Sequence, residues 1–344
     1  MRLFNALGLG LAVARARFLG RAIPFFVTFS VTNRCNQRCT YCGFHLRDKN
    51  ELTTQQIEGI IDELALMGTR RLLLLGGEPL LRDDIGSLIR RCRNRGMLCV
   101  INSNGTLVPD RIAELRGLDQ LDLSLDGGKQ AHDHNRGTGS FERVMRAAET
   151  AREAKIPLQF CALLTPATIG ELDELVRLAR YYRCMVSVDF PYQPQGLSTQ
   201  AKPAAVDKDL FRSAINKVIA MKRKGEPLLF SAKTYQTILE WSDYSVDRIT
   251  DKDYLKQCFK GPRCRAGRYF GFIDTNADFY PCVICVGRDK ALNCLRDGVR
   301  AAWDFAGRHS CRACFVQCQV ETNYLFALDP EVIANIMYCV KKRD

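Results

Sequence analysis

Several things that this 344-residue chain lacks limit what it can be. The uncharged run near the amino terminus, residues 3–14, is much shorter than the roughly 20 apolar residues that a membrane-spanning helix needs. No internal repeat of solenoid period and no low-complexity tract is present, which argues against a repeat array. Hydrophobic residues make up 47% of the chain and charged residues 26%, and these are values of an ordinary globular protein rather than of a disordered one.

Positive charge and cysteine are abundant instead. The formal net charge of +12 favours acidic partners such as phosphorylated substrates, nucleic acid or anionic lipid, without choosing among them. The 16 cysteines are grouped mainly at residues 35–42 and 258–339. In a long chain this grouping predicts metal sites in a reducing cytosol rather than a disulfide framework. Four other cysteines fall in apolar patterns and are interpreted as core residues: Cys92, Cys99, Cys161 and Cys184.

Residues 1–23 predict a basic amphipathic helix. Apolar side chains recur at helical spacing from Leu3 to Phe18, and four arginines accompany them. Such a helix can lie on a membrane surface or pack over the rest of the protein, and the second interpretation is slightly favoured. The expected location is therefore the cytoplasm, with peripheral membrane contact through residues 1–23 left open.

From Pro24 onward, strand-like runs alternate with helical patterns, which predicts an α/β fold with a parallel sheet. Six units are fewer than the eight of a closed barrel, so we expect a partial (β/α)6 barrel over residues 24–190. A helical linker region over 191–257 and a small cysteine-rich domain over 258–344 follow. The strand-like runs are residues 25–31, 71–75, 97–101, 120–125, 158–164 and 185–190.

Unusual polar residues come directly after four of these strands. They are Cys35 after the first, residues 76–79 (GGEP) after the second, residues 102–105 (NSNG) after the third and residues 126–127 after the fourth. The carboxyl ends of parallel strands lie at one edge of the sheet, where the chemistry of such folds is found. We therefore expect these residues to share one site.

The first cysteine group has the spacing C-x3-C-x2-C, formed by Cys35, Cys39 and Cys42. So compact a loop can bring three thiolates to one [4Fe-4S] cluster and leave the fourth iron without a protein ligand. An open iron can bind a co-substrate. A structural zinc site is the alternative, but it requires four ligands and the loop does not dictate a fourth.

With an aromatic residue, Tyr41, before the third cysteine and the later motifs in order, residues 24–190 resemble the radical S-adenosylmethionine (radical SAM) superfamily. The resemblance implies that the GGEP motif holds the methionine amino group, that Ser124 contacts the methionine carboxylate or ribose, and that Arg136 lies in a loop and pairs with that carboxylate. The full set of co-substrate residues implied in this way is Tyr41, Gly76, Gly77, Glu78, Pro79, Ser103, Asn104, Ser124, Asp126 and Arg136.

The later cysteines resemble the auxiliary-cluster extension of the same superfamily, in its two-cluster (SPASM) or shortened one-cluster (twitch) form. The C-x17-C and C-x2-C spacings are most similar to the shortened form, so one auxiliary [4Fe-4S] cluster is favoured over two. A zinc ribbon is the alternative. The implied ligands are Cys264, Cys282, Cys311, Cys314 and Cys318, and the spare or alternate ones are Cys258, Cys285, Cys294 and Cys339.

The resemblance implies reductive cleavage of S-adenosylmethionine to a 5′-deoxyadenosyl radical, with electrons from a donor such as flavodoxin or ferredoxin. The radical would abstract hydrogen from a small sugar, nucleotide or lipid-linked substrate, giving oxidation, epimerisation or carbon–carbon bond formation. A peptide-modifying enzyme is the main alternative, although we recognise no leader-peptide-binding module. A zinc-binding nucleic-acid module fits the charge but leaves residues 76–79 and 124–127 unexplained, so nucleic acid is not the expected partner.

Overall fold

A computed structural model of the chain describes residues 10, 12–14, 16–18, 20–48, 50–191, 207–252 and 259–343. All six expected strands form, pair in parallel and follow one another in chain order across the sheet. In the described residues β6 does not pair with β1, so the barrel is open and the predicted partial barrel is confirmed. The strands are β1 Phe26–Thr32, β2 Arg71–Gly76, β3 Leu98–Ser103, β4 Gln120–Ser124, β5 Leu158–Leu163 and β6 Met185–Asp189.

Helices connect these strands and cover one face of the sheet. The first begins at a capping box, in which Thr53 Oγ1 accepts a hydrogen bond from the backbone N–H of Gln56 (3.3 Å) and the Gln56 side chain accepts one from Thr53 N (2.9 Å). The helices are α1 Thr54–Leu66, α2 Ile85–Asn94, α3 Val108–Arg111, α4 Lys129–Arg136, α5 Ser140–Glu153, α6 Leu172–Tyr181, α7 Lys208–Arg223 and α8 Ala232–Leu239.

The two faces of the parallel sheet differ in polarity. Because side chains alternate along a strand, one set faces the helices, and it includes the fully buried Phe29, Leu72 and Leu121. The other set faces the inside of the barrel and mixes polar residues such as Asn102 and Asp189 with apolar ones such as Leu73 and Val100. The barrel interior therefore presents a few polar groups in a mostly apolar wall.

The carboxy-terminal part continues the same sheet. Strand β8 pairs in parallel with β1, and β9 and β10 extend the sheet antiparallel beyond it. The sheet thus crosses the boundary predicted at residue 258, and the separate second domain stays a prediction. The elements are β7 Arg248–Thr250, β8 Phe270–Ile273, β9 Asp278–Tyr280, β10 Leu292–Asn293, α9 Val299–Ala306, β11 Cys311–Cys314, α10 Gln317–Phe326 and α11 Pro330–Arg343.

Three helices in this part were not expected, since the cysteine-rich segment predicted short strands only. For helix α10 the reason is its inner face, whose buried side chains include the polar Gln317, Glu321 and Asn323 beside Val320 and Phe326. A helix that buries polar and apolar residues together has no clear apolar stripe in its sequence.

Only part of the predicted amino-terminal helix lies within the described residues. Residues 10, 12–14 and 16–18 are helical, and Val13 and Ala16 are buried in an apolar cluster with Phe25 and Tyr269. This portion packs against the protein. Within the described ranges, no helix combines the length and the apolar character required to cross a membrane.

Candidate functional site

The loop that carries the first three cysteines follows β1 at the carboxyl edge of the sheet. The three thiols are partly exposed, and the backbone N–H of Cys42 donates to the carbonyl of Cys39 (3.1 Å). Burial raises the pKa of the Cys39 thiol to about 11; Arg136 opposes this shift, and the neighbouring Cys42 and Cys35 thiols add to it. The loop therefore groups the three predicted ligands closely enough for their thiols to influence one another.

Two glycines at the end of β2, Gly76 and Gly77, hold this loop by close backbone contact, and we call them the glycine clamp. The N–H of Gly77 donates to the carbonyl of Thr32 and the N–H of Glu78 to that of Arg34, both at 2.8 Å. A Cβ on Gly76, whose φ is +156°, would lie 2.2 Å from Thr32 O, and one on Gly77 would lie 2.1 Å from Arg34 O. No other residue fits there, because real Cβ atoms do not approach a carbonyl oxygen so closely.

Glu78 connects this clamp to β3. Its buried carboxylate accepts hydrogen bonds from Ser103 Oγ (2.9 Å), Asn104 N (2.7 Å) and Leu80 N (3.0 Å). Burial raises the pKa of the Glu78 carboxyl to about 7, although these three donors lower it. The contact with a methionine amino group stays a prediction; what the structure assigns to Glu78 is joining two strand ends. Pro79 begins the short helical turn that follows.

Asn104 then reaches back to the cysteine loop. Its Nδ2 donates to Asn36 Oδ1 (2.8 Å), and Asn36 Nδ2 donates to Thr106 Oγ1 (2.7 Å). The sequence analysis did not single out Asn36, although its place between the first two cysteines was a signal.

A buried network fixes the far end of the loop. The Tyr41 hydroxyl donates to Asp126 Oδ2 (3.0 Å), and Arg136 donates to both oxygens of Asp126 through Nε (2.7 Å) and Nη2 (3.1 Å). Burial alone would raise the pKa of the Asp126 carboxyl, but the Arg136 guanidinium holds it below its usual value. In addition, the backbone N–H of Thr40 donates to the carbonyl of Asn135 (2.9 Å).

Arg136 lies on helix α4, where the sequence predicted a loop, and this expectation was wrong. The sequence did not predict this helix because its buried residues are His132 and Asn135, so its inner face is polar and shows no apolar stripe. His132 Nδ1 accepts a hydrogen bond from Asp126 N (3.1 Å). Ser124 is buried at the end of β4, two residues from Asp126. The ten predicted co-substrate residues therefore all come from the cysteine loop or from the ends of β2, β3 and β4 and the segments that follow them.

Inside the barrel, below this edge, lies a cavity of about 730 Å³. It extends from the amino ends of the strands to Asn102 and Asp189, near the carboxyl ends of β3 and β6, and α10 and α11 cover part of it. Burial raises the pKa of the Asp189 carboxyl to about 7; a hydrogen bond from Ser187 lowers it, and Asp122 raises it further. The sequence analysis did not select Asp189, although it ends a strand at the same edge as the other site residues.

The later cysteines divide into two sets. The thiols of Cys264 and Cys311 are hydrogen-bonded, Cys282 and Cys285 are 3.8 Å apart at their Sγ atoms, and Cys314 lies within electrostatic range of Cys282 and Cys311. Cys318 and Cys339 instead line the barrel cavity, and Cys294 is buried in the main core. Cys258 lies outside the described residues. The ligand role of Cys318 stays a prediction.

Two observations test what the cysteine groups could hold. Within the described residues, no three side chains of His, Cys, Asp or Glu are arranged to hold a single metal ion. Four thiolates at about 2.3 Å from one zinc ion would lie only about 3.8 Å apart, whereas a four-iron cluster spreads its ligands more widely. The three thiols of the cysteine loop fit an iron–sulfur cluster by their chemistry. In the later group the Sγ atoms of Cys282 and Cys285 are 3.8 Å apart, a distance that matches a single zinc ion.

Comparison with known proteins identifies one domain. The sequence profile of the radical SAM superfamily matches residues 29–179, from β1 through most of α6. These residues therefore form a radical SAM domain. It contains the cysteine loop, the glycine clamp and the Asp126–Arg136 pair.

Three individual proteins illustrate the similarity. The chain is 28% identical over 273 residues to the AdoMet-dependent heme synthase of Methanosarcina barkeri, covering 75% of this chain and 76% of that protein. It is 28% identical over 297 residues to mycofactocin maturase MftC of Mycolicibacterium smegmatis, covering 81% and 69%. Its fold resembles that of Streptococcus suis SuiB, solved with the precursor peptide SuiA, with a TM-score of 0.65, 19% identity and coverage of 84% and 67%.

The glycine clamp gives a first test. In Gly77→Ala the new methyl group must displace the Arg34 carbonyl, so we expect a loss of about 1–3 kcal/mol in the free energy of unfolding and poor iron binding by the cysteine loop. Gly59→Ala is the matched control, because Gly59 lies on the exposed face of α1 with nothing within 4 Å of its Cβ position. It should gain about 0.5–1 kcal/mol and bind iron normally. Urea unfolding and iron analysis measure both; equal behaviour of the two variants would refute the clamp.

The Asp126–Arg136 pair gives a second test. Asp126→Asn leaves the guanidinium of Arg136, which is 11% exposed, without a counter-charge, and we expect a cost of about 3–5 kcal/mol. Asp173→Asn removes an ion pair with Lys217 in which the aspartate is 75% exposed, and should cost at most about 1 kcal/mol. Chemical denaturation of both variants checks this. A similar small loss in each would mean that the buried pair does not hold the loop.

Proposed function

We propose that this protein is a radical SAM enzyme that binds a [4Fe-4S] cluster through Cys35, Cys39 and Cys42 and acts on a substrate held inside its barrel. The observation that carries the proposal is the position of the cysteine loop, which three neighbouring strand ends hold at the edge of the barrel above a large cavity. When bound, the cluster supplies the electron that cleaves S-adenosylmethionine into methionine and a hydrogen-abstracting 5′-deoxyadenosyl radical.

The protein's own residues would position the reactants. Gly76 and Gly77 allow β2 to pass directly beside the cysteine loop, so the loop is held against the end of this strand. The Asp126–Arg136 pair places a guanidinium near Cys39, where positive charge favours the thiolate form that iron requires. The ring of Tyr41 lies under that guanidinium, 5.6 Å away. Electrons would come from an external donor such as flavodoxin or ferredoxin.

The cavity favours a small-molecule substrate. Its volume of about 730 Å³ lies within the range of about 300–1,000 Å³ typical of small-ligand sites. Asp122, Asp189 and Glu321 line it among apolar side chains, so its wall includes carboxylates in a mostly apolar setting. A substrate with hydroxyl, amino or amide N–H groups, such as a sugar or nucleoside, would match such a wall. Hydrogen abstraction there would lead to oxidation, epimerisation or carbon–carbon bond formation.

A peptide substrate is the second candidate. The similarity to mycofactocin maturase MftC extends over 81% of this chain, and SuiB, whose fold is similar, was solved with a precursor peptide. The carboxylates of the wall can also receive backbone N–H groups. The cavity would admit at most one peptide side chain and a few residues of its backbone.

Cysteine variants test the reaction. Cys35→Ala, Cys39→Ala and Cys42→Ala should each abolish formation of 5′-deoxyadenosine by the anaerobically reconstituted, dithionite-reduced protein, because the open iron site is lost. Cys294→Ala, in the main core, should retain it. Chromatography of the products measures the outcome. Undiminished cleavage in any of the three loop variants would exclude the proposed cluster site.

Asp189 tests the substrate site. A screen of hydroxyl- and amine-bearing metabolites, an iron porphyrin and short peptides for increased 5′-deoxyadenosine formation comes first. Asp189→Asn should then raise the KM for the best activator about 10- to 100-fold, because one hydrogen bond to a charged group is lost. Cleavage of S-adenosylmethionine without substrate should stay unchanged. Asp173→Asn is the exposed control. Activation by peptides alone would favour the second candidate, and an unchanged KM would remove Asp189 from the site.

A further inference from the structure

The amino edge of the sheet carries a continuous row of positive charge. Each of the six barrel strands is preceded, within five residues, by an exposed arginine or lysine. In the order β1 to β6 these residues are Arg21, Arg70, Arg95, Arg116, Lys155 and Arg183. Because the strands are parallel and adjacent, the six cations lie along one edge of the barrel, opposite the edge that carries the cysteine loop.

Acidic side chains are scarce at this edge. The four residues before each of β2 to β6 include one acidic residue, Asp119, and its Oδ2 accepts a hydrogen bond from the backbone N–H of Cys99 (2.8 Å). Arg95 pairs with Asp62. Among the described residues, no ion pair engages the other four cations before these strands, which are Arg70, Arg116, Lys155 and Arg183.

These cations act together. Neighbouring strands lie about 4.8 Å apart, which is less than the Debye length of about 10 Å at 0.1 M salt, so the fields of adjacent turns add. A cation at the end of a helix also stabilises the helix dipole. That role accounts for a cation near each helix end, but not for the lack of acidic partners along the whole edge. The edge is therefore a positive band that an anionic surface would match.

Three exposed apolar side chains accompany this band. The helices run antiparallel to the strands, so the carboxyl ends of α1 and α6 lie at the amino edge. Their last residues are Leu66, which is 86% exposed, and Tyr181, which is 67% exposed. Phe18, 81% exposed, is helical and lies three residues before Arg21. Apolar side chains among cations are typical of surfaces that lie in the headgroup region of a membrane, whereas a nucleic acid would make no use of an aliphatic side chain such as Leu66.

The barrel cavity reaches the surface at this same edge. Arg70 and Gly96, both exposed, line it together with Asp119. Helices α10 and α11 cover part of it. A surface that lies against the amino edge would therefore lie against the mouth of the cavity.

We propose that the amino edge of the barrel docks on the surface of a bilayer that contains anionic phospholipid. The cations bind the phosphate-bearing headgroups, and Leu66, Tyr181 and Phe18 enter the interface between headgroups and acyl chains. The mouth of the cavity then faces the membrane, and the cysteine loop faces away from it. Docking requires neither an iron–sulfur cluster nor S-adenosylmethionine, so it does not depend on the proposed function.

Sedimentation with lipid vesicles tests the docking. The full chain should bind vesicles of phosphatidylcholine and phosphatidylglycerol, mixed at about 7:3, in about 0.1 M salt. It should leave them in about 0.5 M salt and should bind poorly to phosphatidylcholine alone, because salt screens the attraction and a neutral surface does not provide it. Arg70→Gln/Arg116→Gln/Arg183→Gln should weaken the binding about 100-fold, from about a fivefold contribution of each cation.

The matched control removes the same charge from the opposite edge. Arg143 and Arg300, both exposed, lie in the first turns of α5 and α9, and the exposed Arg296 follows β10. Arg143→Gln/Arg296→Gln/Arg300→Gln should bind the vesicles within about threefold of the unchanged chain, since these charges lie beyond a Debye length from the membrane. Equal weakening of the two triple variants, or no vesicle binding by the unchanged chain, would overturn the proposal. In the second case, binding of a short RNA at the same salt concentration would assign the edge to nucleic acid instead.

A tryptophan probe tests the orientation without removing a cation. The fluorescence of Leu66→Trp should be quenched when part of the phosphatidylcholine in the same vesicles is brominated, because the new ring enters the interface. Leu295→Trp is the control, since Leu295 is 43% exposed and follows β10 at the opposite edge. The native Trp241 and Trp303 are buried and contribute equally to both variants. Equal quenching of the two probes would show that the amino edge is not the face that meets the membrane.

Discussion

The approach of β2 to the end of β1 is the contact on which the site depends. Two backbone hydrogen bonds of 2.8 Å join Gly77 and Glu78 to Thr32 and Arg34, at a separation that leaves no room for a side chain. The cysteine loop begins at the next residue, so the clamp sets the direction in which it leaves the sheet. Glu78 transmits this constraint to β3, and Asn104 returns it to the loop. The two glycines thereby help to determine where the three thiols of the cysteine loop lie.

Charge balance at the other end of the loop follows from the same burial. A carboxylate as buried as Asp126 is unstable without a partner, and Arg136, Tyr41 and Asn135 supply donors. Since Tyr41 lies between two of the cysteines, the pair is part of the cluster loop as much as of the fourth strand. These side chains already form hydrogen bonds with one another. A co-substrate would therefore pack against them rather than take up their hydrogen-bonding groups.

Most of the barrel could be predicted from the sequence, for reasons that particular elements illustrate. Alternating apolar strands and the capping box at Thr53 are local patterns, and all six strands and helix α1 form within a few residues of the expected limits. Helices α4 and α10 were not predicted from the sequence, because their buried faces contain polar residues such as Asn135 and Gln317. Asp189 was not predicted for a different reason: its place in the cavity wall depends on residues that are distant in the chain, which spacing does not reveal.

The two cysteine groups show what the spacing of a motif can and cannot predict. In the first group the C-x3-C-x2-C spacing is short enough that chain geometry leaves the thiols little freedom, so position in sequence and position in space agree. In the second group the cysteines come from the turn after β9, from β11 and from the segment before β8, and pairing of distant segments decides which thiols meet. Cys285 has the same C-x2-C relation to Cys282 that Cys314 has to Cys311, so spacing cannot rank the two. The neighbouring charges do not rank them either, because a carboxylate lies beside each thiol: Asp289 beside Cys285 and Asp247 beside Cys314.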